Sequence, residues 1–260
     1  MLCIKPFKGF GCGQCRYCRA RKRIDKANRI MMEAMLHEKT SFVTLTYSDE
    51  NLPVDCSLRP DDLKRFIMRL RSRIDPLRIR YFACGEYGGR RFGSPDAERD
   101  INPHYHLALY GLDFTDADLI NETWGLGITD VKFLEPASDA YLEKYVTKKM
   151  TGKEDERLRI TEDFCLHPEF QRQSLKPGLG AGVMQKLAET YNTNEYALAT
   201  LDVQGDVPKS TIIGGKNVSL GRYLRSKLRE FCGFQNTKAQ DGWLLEKSMR
   251  DLQINQEIAA

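Results

Sequence analysis

Pro103-His104-Tyr105-His106-Leu107-Ala108-Leu109-Tyr110 decides how this chain is read, because it sets two of the four histidines at alternate positions of an apolar, aromatic run. Such a run is expected to be a β-strand. Side chains alternate along a strand, so His104 and His106 share one face about 6.6 Å apart, close enough to ligate one metal ion. Tyr105 is then expected on the opposite face.

Working outward, 25–38 has helical composition, and Phe42-Val43-Thr44-Leu45-Thr46-Tyr47 is a β-branched and aromatic run ended by Ser48-Asp49-Glu50-Asn51-Leu52-Pro53. Pro60-Asp61-Asp62 opens a helix whose Leu63, Phe66, Ile67, Leu70 and Ile74 recur at helical spacing, forming an apolar stripe for a sheet to receive. A second strand is expected over 78–86. The glycine- and charge-rich stretch 87–102 then leads into the histidine strand. A short helix over 115–124, a fourth strand over 127–133 and a helix over 138–150, with Ser138 as N-cap, complete the order. The expectation is an α+β fold, an antiparallel central sheet with flanking helices in a ferredoxin/RRM-like arrangement.

The division expected is a basic, cysteine-containing N-terminal arm and helix (1–38), a core (39–152) and a helical or irregular appendage (153–260). In the last, 153–180 is polar and irregular and helical patterns return at 181–192 and 220–230. No P-loop occurs; Gly214-Gly215-Lys216-Asn217 lacks its spacing, which argues against an ATP-driven motor. No apolar run approaches a membrane span, and the first ten residues lack a secretion signal, so a soluble, intracellular protein is expected.

The net charge of +4 is unevenly laid down. Residues 1–29 hold nine cations against Asp25, or +8, leaving −4 on the remainder. A second basic stretch spans 59–73. This pattern suits contacts with a phosphate backbone. Eight cysteines in an intracellular chain argue against disulfides. Cys12, Cys15 and Cys18, with Cys3 upstream, offer four thiolates to a structural Zn²⁺, although no second CxxC follows and three reduced thiols are the simpler reading. Cys56, Cys84, Cys165 and Cys232 are scattered and read as core or surface thiols.

The histidine pair needs a third ligand. Glu86, at the end of the preceding strand, is the best placed, since an antiparallel partner brings its carboxylate opposite the imidazoles. Two imidazoles and a carboxylate can hold Mg²⁺, Mn²⁺ or Zn²⁺ and polarise a phosphoryl or carbonyl oxygen. A nucleophile is offered by Tyr141 and Tyr145, one helical turn apart, with Lys144 and Lys148 on the same side. A phenol with an ordinary pKa of about 10 needs such positive charge to react as phenolate.

Taken together, Phe42–Tyr47, Gly85-Glu86-Tyr87-Gly88, Pro103-His104-Tyr105-His106-Leu107 and the Tyr141, Tyr145, Lys148 set resemble the HUH endonucleases, in particular the replication initiators of the Microviridae and their gokushovirus branch. Cys12-Gly13-Gln14-Cys15-Arg16-Tyr17-Cys18-Arg19 and Pro177-Gly178-Leu179-Gly180 are similar to further elements of that family. The resemblance covers most of 10–180; beyond it, Gly221-Arg222-Tyr223-Leu224 is a faint match. One departure is Tyr105, where the family carries a hydrophobic residue between the histidines.

The resemblance implies a metal-dependent, site-specific single-stranded DNA endonuclease and strand transferase. Mg²⁺ or Mn²⁺ on Glu86, His104 and His106 is implied, with Tyr141 and Tyr145 as alternating nucleophiles and Lys148 favoured over Lys144 as the catalytic lysine. A 5′-phosphotyrosine intermediate, origin DNA as substrate, a host helicase and DNA polymerase as partners, and a place in the host bacterial cytoplasm follow. A plasmid initiator, relaxase or transposase of the same superfamily is the nearest alternative, although relaxases often place their tyrosine before the histidines. A noncatalytic zinc or nucleic-acid-binding module leaves the histidine and tyrosine pairs unexplained, and a zinc hydrolase lacks HExxH.

Overall fold

The computed structural model describes residues 3–6, 11–88, 102–134 and 165–234. In chain order these form α1 (Arg16–Ala34), β1 (Thr40–Tyr47), α2 (Pro60–Arg73), β2 (Arg80–Gly88), β3 (Asn102–Tyr110), a 3₁₀ turn (Phe114–Asp116), α3 (Ala117–Trp124), β4 (Gly127–Phe133) and β5 (Phe170–Gln173). Then come α4 (Ala181–Thr193), α5 (Glu195–Gln204), β6 (Ser210–Ile213), β7 (Lys216–Ser219) and α6 (Gly221–Phe231). The expected helix over 138–150, with Tyr141, Tyr145 and Lys148, lies outside the described residues.

Five strands make one antiparallel sheet in the order β4-β1-β3-β2-β5. β1 and β2 both run antiparallel to β3, so they are parallel to each other with α2 crossing between them and β3 filling the gap. This is a split βαβ arrangement, compatible with the α+β core expected. The histidine strand is thereby central, hydrogen-bonded on both edges.

The two faces of that sheet bury different things. On one, the α2 stripe of Leu63, Phe66, Ile67 and Leu70 packs with Trp124 against Val43, Leu45, Leu107 and Leu109, all nearly inaccessible. Tyr105 belongs to this face, as strand alternation predicts, and its hydroxyl donates to the Arg59 carbonyl at 2.9 Å. Burial pushes that phenol up to about 12, so it remains a donor. Tyr47 donates to Asp62 Oδ2 at 2.7 Å, a second tie to the start of α2.

On the other face Phe42, Phe82, Ala108 and Tyr110 pack with Ile30, Ala34, Leu134 and Leu179. Beneath them Glu33 accepts from the Gly180 amide at 2.7 Å, from Arg80 Nε, and contacts His37 Nε2 at 3.3 Å. Arg80 also donates to the Pro177 carbonyl at 2.6 Å, and Arg29 to that of Leu179 at 3.1 Å. The Pro177-Gly178-Leu179-Gly180 element is therefore a packing element: Leu179 fills the core while its backbone is tied to α1 and β2.

Burial pushes the Glu33 carboxyl up, but His37, the Gly180 amide and Arg80 outweigh it and hold the group below its ordinary value. A carboxylate depressed on folding contributes stability above its unfolded pKa and loses it as pH falls through the folded one. Glu33→Gln is therefore expected to cost about 3 kcal/mol at neutral pH, with the gap closing below about pH 4. Urea unfolding of both proteins across that range measures it.

The described residues divide into two compact units, one within Arg29–Gly182 and one within Met1–Asn28 and Val183–Ala260. In the second, Asp206 accepts from Arg225 at 2.5 Å and from two nitrogens of Arg229 at 2.6 Å, with Arg229 only 2% exposed. Asn28 donates to the Ser219 carbonyl at 2.9 Å.

Several boundaries differ from the sequence reading. α1 begins at Arg16 rather than 25, because the basic run is itself rich in arginine, lysine and alanine, which are strong helix formers. The irregular stretch contributes β5 to the sheet edge, too short to show alternation. α5 carries apolar residues without a stripe, and Gly214-Gly215, both at positive φ, turn the β6–β7 hairpin. Among the described residues no helix is long and apolar enough to cross a membrane.

Candidate metal centre

Register brings the centre together. Glu86 of β2 lies directly opposite His104 of β3, and His106 opposite Thr44 of β1 on one side and Cys84 of β2 on the other. All these positions point to the face that also carries Phe42, Phe82 and Ala108. The donor atoms of Glu86, His104 and His106 all lie within 4.8 Å of one another, a possible metal site. Glu86 Oε1 stands 2.8 Å from His106 Nε2 and 3.6 Å from His104 Nε2.

Each imidazole is oriented from its other nitrogen. His104 Nδ1 is 2.9 Å from the Asn102 carbonyl, which can only accept, so Nδ1 carries the hydrogen and the neutral ring presents a bare Nε2 lone pair toward Glu86. His106 Nδ1 is 3.0 Å from Thr44 Oγ1, and Phe42 stacks on the same ring at 5.4 Å. The two imidazoles meet edge to face at 4.7 Å. A carboxylate and two imidazole nitrogens converging in a nearly buried pocket make an electron-rich site that a cation or proton would satisfy. The residues present thus fit a divalent ion with nitrogen and oxygen ligands.

Gly88 makes room for this geometry. A Cβ there would stand 2.9 Å from His104 Cε1, so even alanine would force the ring to move.

Thr44 is not marked out by the sequence motifs, although strand pairing of 42–47 beside the histidine strand is the signal that could find it. Partners that orient a ligating histidine commonly matter about 10–100-fold in metal affinity. Thr44→Val keeps the shape and removes the hydroxyl; a loss of that size in Mn²⁺ affinity by isothermal titration, with an unchanged melting temperature, is the expected outcome.

A second cluster lies elsewhere. The sulfurs of Cys3, Cys12, Cys15 and Cys18 also lie within 4.8 Å of one another. Backbone amides of Ile4 and Cys18 bring the Cys15 thiol down to about 6. At Cys18 the Gly13 amide acts downward, but burial and the neighbouring cysteines outweigh it and push the thiol up to about 11. Of the scattered thiols, Cys84 is buried and Cys165 exposed.

Fold and centre define an α+β protein whose antiparallel sheet carries a possible two-histidine, one-glutamate metal site. Residues 40–150 match the family model of the replication-associated protein ORF2. The chain is similar to replication-associated protein VP4 of Bdellovibrio phage phiMH2K, 25% identical over 224 residues that cover 77% of this chain and 65% of that protein. It is also similar to replication-associated protein ORF2 of Spiroplasma virus 4, 29% identical over 65% of this chain and 55% of that protein. For replication-associated protein ORF4 of Chlamydia phage 1 the identity is 30%, over 53% of this chain and 38% of that protein. The chain thus spans between 38% and 65% of the length of these relatives. No solved structure matches. These matches fit a replication-associated protein of the Microviridae type, the family that the sequence motifs resemble.

Proposed function

We propose that this chain acts in phage replication as a rolling-circle initiator, nicking and rejoining single-stranded origin DNA through a phosphotyrosine intermediate. The observation that carries the reading is the convergence of Glu86 Oε1, His104 Nε2 and His106 Nε2 at the ends of two paired strands. Similarity to replication-associated proteins of phages supports it.

Glu86, His104 and His106 would hold the divalent ion, with Mg²⁺ or Mn²⁺ favoured by substrate chemistry. When bound, the ion would neutralise charge on the scissile phosphate. The phenolic oxygen of Tyr141 or Tyr145 attacks phosphorus, a tyrosine–phosphate bond forms, and the bond to the 3′ oxygen breaks, releasing a 3′-OH. Lys148 favours the phenolate and the charge gathering on phosphate. Attack by a 3′-OH on the phosphotyrosine reverses the exchange and joins the strand. One phosphodiester is traded for another, so no ATP is consumed. The core assigned to this chemistry is 39–152, with a host polymerase extending the freed 3′-OH and a host helicase opening the duplex in the bacterial cytoplasm.

Incubation of the full chain with a labelled single-stranded origin oligonucleotide and Mn²⁺ tests the reading. A denaturation-resistant protein–DNA adduct, absent with EDTA, is expected; cleavage that persists in EDTA contradicts it.

A further inference from the structure

We infer that Cys3, Cys12, Cys15 and Cys18 form a closed tetrathiolate zinc site that caps the N-terminus of α1. The inference does not depend on the nuclease reading, since it involves other residues and another kind of ligand.

Four sulfurs from two segments nine residues apart gather within 4.8 Å, with Cys3 and Cys15 Sγ only 3.9 Å apart. Two sulfurs also accept backbone amides, Cys3 from Cys12 at 3.2 Å and Cys12 from Cys15 at 3.3 Å. Amides aimed at sulfur favour thiolate, the form that binds metal. The backbone leaves room for this: a Cβ on Gly11 would stand 2.9 Å from Cys18 Sγ, and Gly13 turns the chain at φ +75° between Cys12 and Cys15.

A second observation comes from the helix. The Cys15 carbonyl accepts the Arg19 amide at 3.0 Å, so Cys15 sits at the start of α1 and Cys18 in its first turn. That turn has no acidic residue, although a helix N-terminus favours negative charge, and Arg16, Arg19, Arg21, Lys22 and Arg23 crowd it with cations. Zinc bound by four thiolates carries a net charge of −2 and supplies the missing anion. Four S–Zn bonds form and four thiol protons leave to solvent. Soft sulfur donors in a closed tetrahedral set suit Zn²⁺, whereas the mixed nitrogen and oxygen centre suits a harder ion.

The full chain, purified without a metal-affinity tag and dialysed, is analysed for bound metals. About one equivalent of zinc per chain is expected. It should persist in His104→Ala/His106→Ala and be lost in Cys12→Ser and in Cys15→Ser. Exchange into Co²⁺ should give the visible bands of tetrahedral cobalt with thiolate charge transfer. Should the cysteine variants fail to fold, the wild type still decides: thiols protected from alkylation should become reactive as zinc is released to a mercurial reagent. Zinc-free protein with all thiols reactive, zinc lost with the histidines instead, or iron with acid-labile sulfide would each overturn the inference.

Discussion

His106→Ala is expected to lower the rate of Mn²⁺-dependent strand cleavage by roughly 10²–10³-fold, because the ion's charge stabilisation of the transition state is worth several kcal/mol. Of the two imidazoles, His106 stands nearer the carboxylate, at 2.8 Å against 3.6 Å, and is fixed by Thr44 on one side and Phe42 on another. Removing it leaves Glu86 and His104, a poorer ligand pair. Manganese affinity should fall with the rate, and raising Mn²⁺ should restore part of the activity. Because the ring lies at one end of the face that buries Phe42 and Ala108, circular dichroism and melting temperature are read alongside. His104→Ala, at a more exposed ring, serves as the companion. Cleavage within about threefold of wild type in both variants, a free-energy change well below 1 kcal/mol, would remove the centre from the chemistry.

The second large effect belongs to the tyrosines. Tyr141→Phe/Tyr145→Phe is expected to abolish the covalent adduct, since phenylalanine keeps the ring and removes the oxygen that becomes the tyrosine–phosphate ester. Neither single variant should abolish it if the tyrosines can alternate, but strand joining, which calls on both, should fail in each. Manganese affinity should stay at the wild-type level in the double variant, separating the nucleophile from the metal ligands. An adduct of undiminished yield in the double variant would reassign the nucleophile.

What the sequence disclosed follows from where periodicity is strong. The α2 stripe is legible because Leu63, Phe66, Ile67 and Leu70 must all reach one face, and the structure buries each of them. β3 is legible for the same reason: Tyr105 and Leu107 go one way while His106 and Ala108 go the other. Register carried the rest of the centre. Once β2 and β3 are antiparallel neighbours, Glu86 falls opposite His104 without further information.

Other features depend on contacts that no local pattern encodes. Thr44 matters through a hydroxyl on a neighbouring strand, and a threonine in a β-branched run looks like any other. The Glu33 cluster joins residues far apart in sequence, so neither Arg80 nor the Gly180 amide marks itself in advance. β5 has four residues and takes its identity from the edge it extends. The basic run before 25 reads as an arm because its charge masks its helix propensity.

The most direct measurement is peptide mapping of the covalent adduct by mass spectrometry after reaction with Mn²⁺ and nuclease trimming of the bound strand. The account predicts a nucleotide phosphate on Tyr141 or Tyr145 in wild type, and no such peptide when EDTA is present. A nucleotide on any other residue, or cleaved DNA with no covalently marked peptide at all, would contradict it.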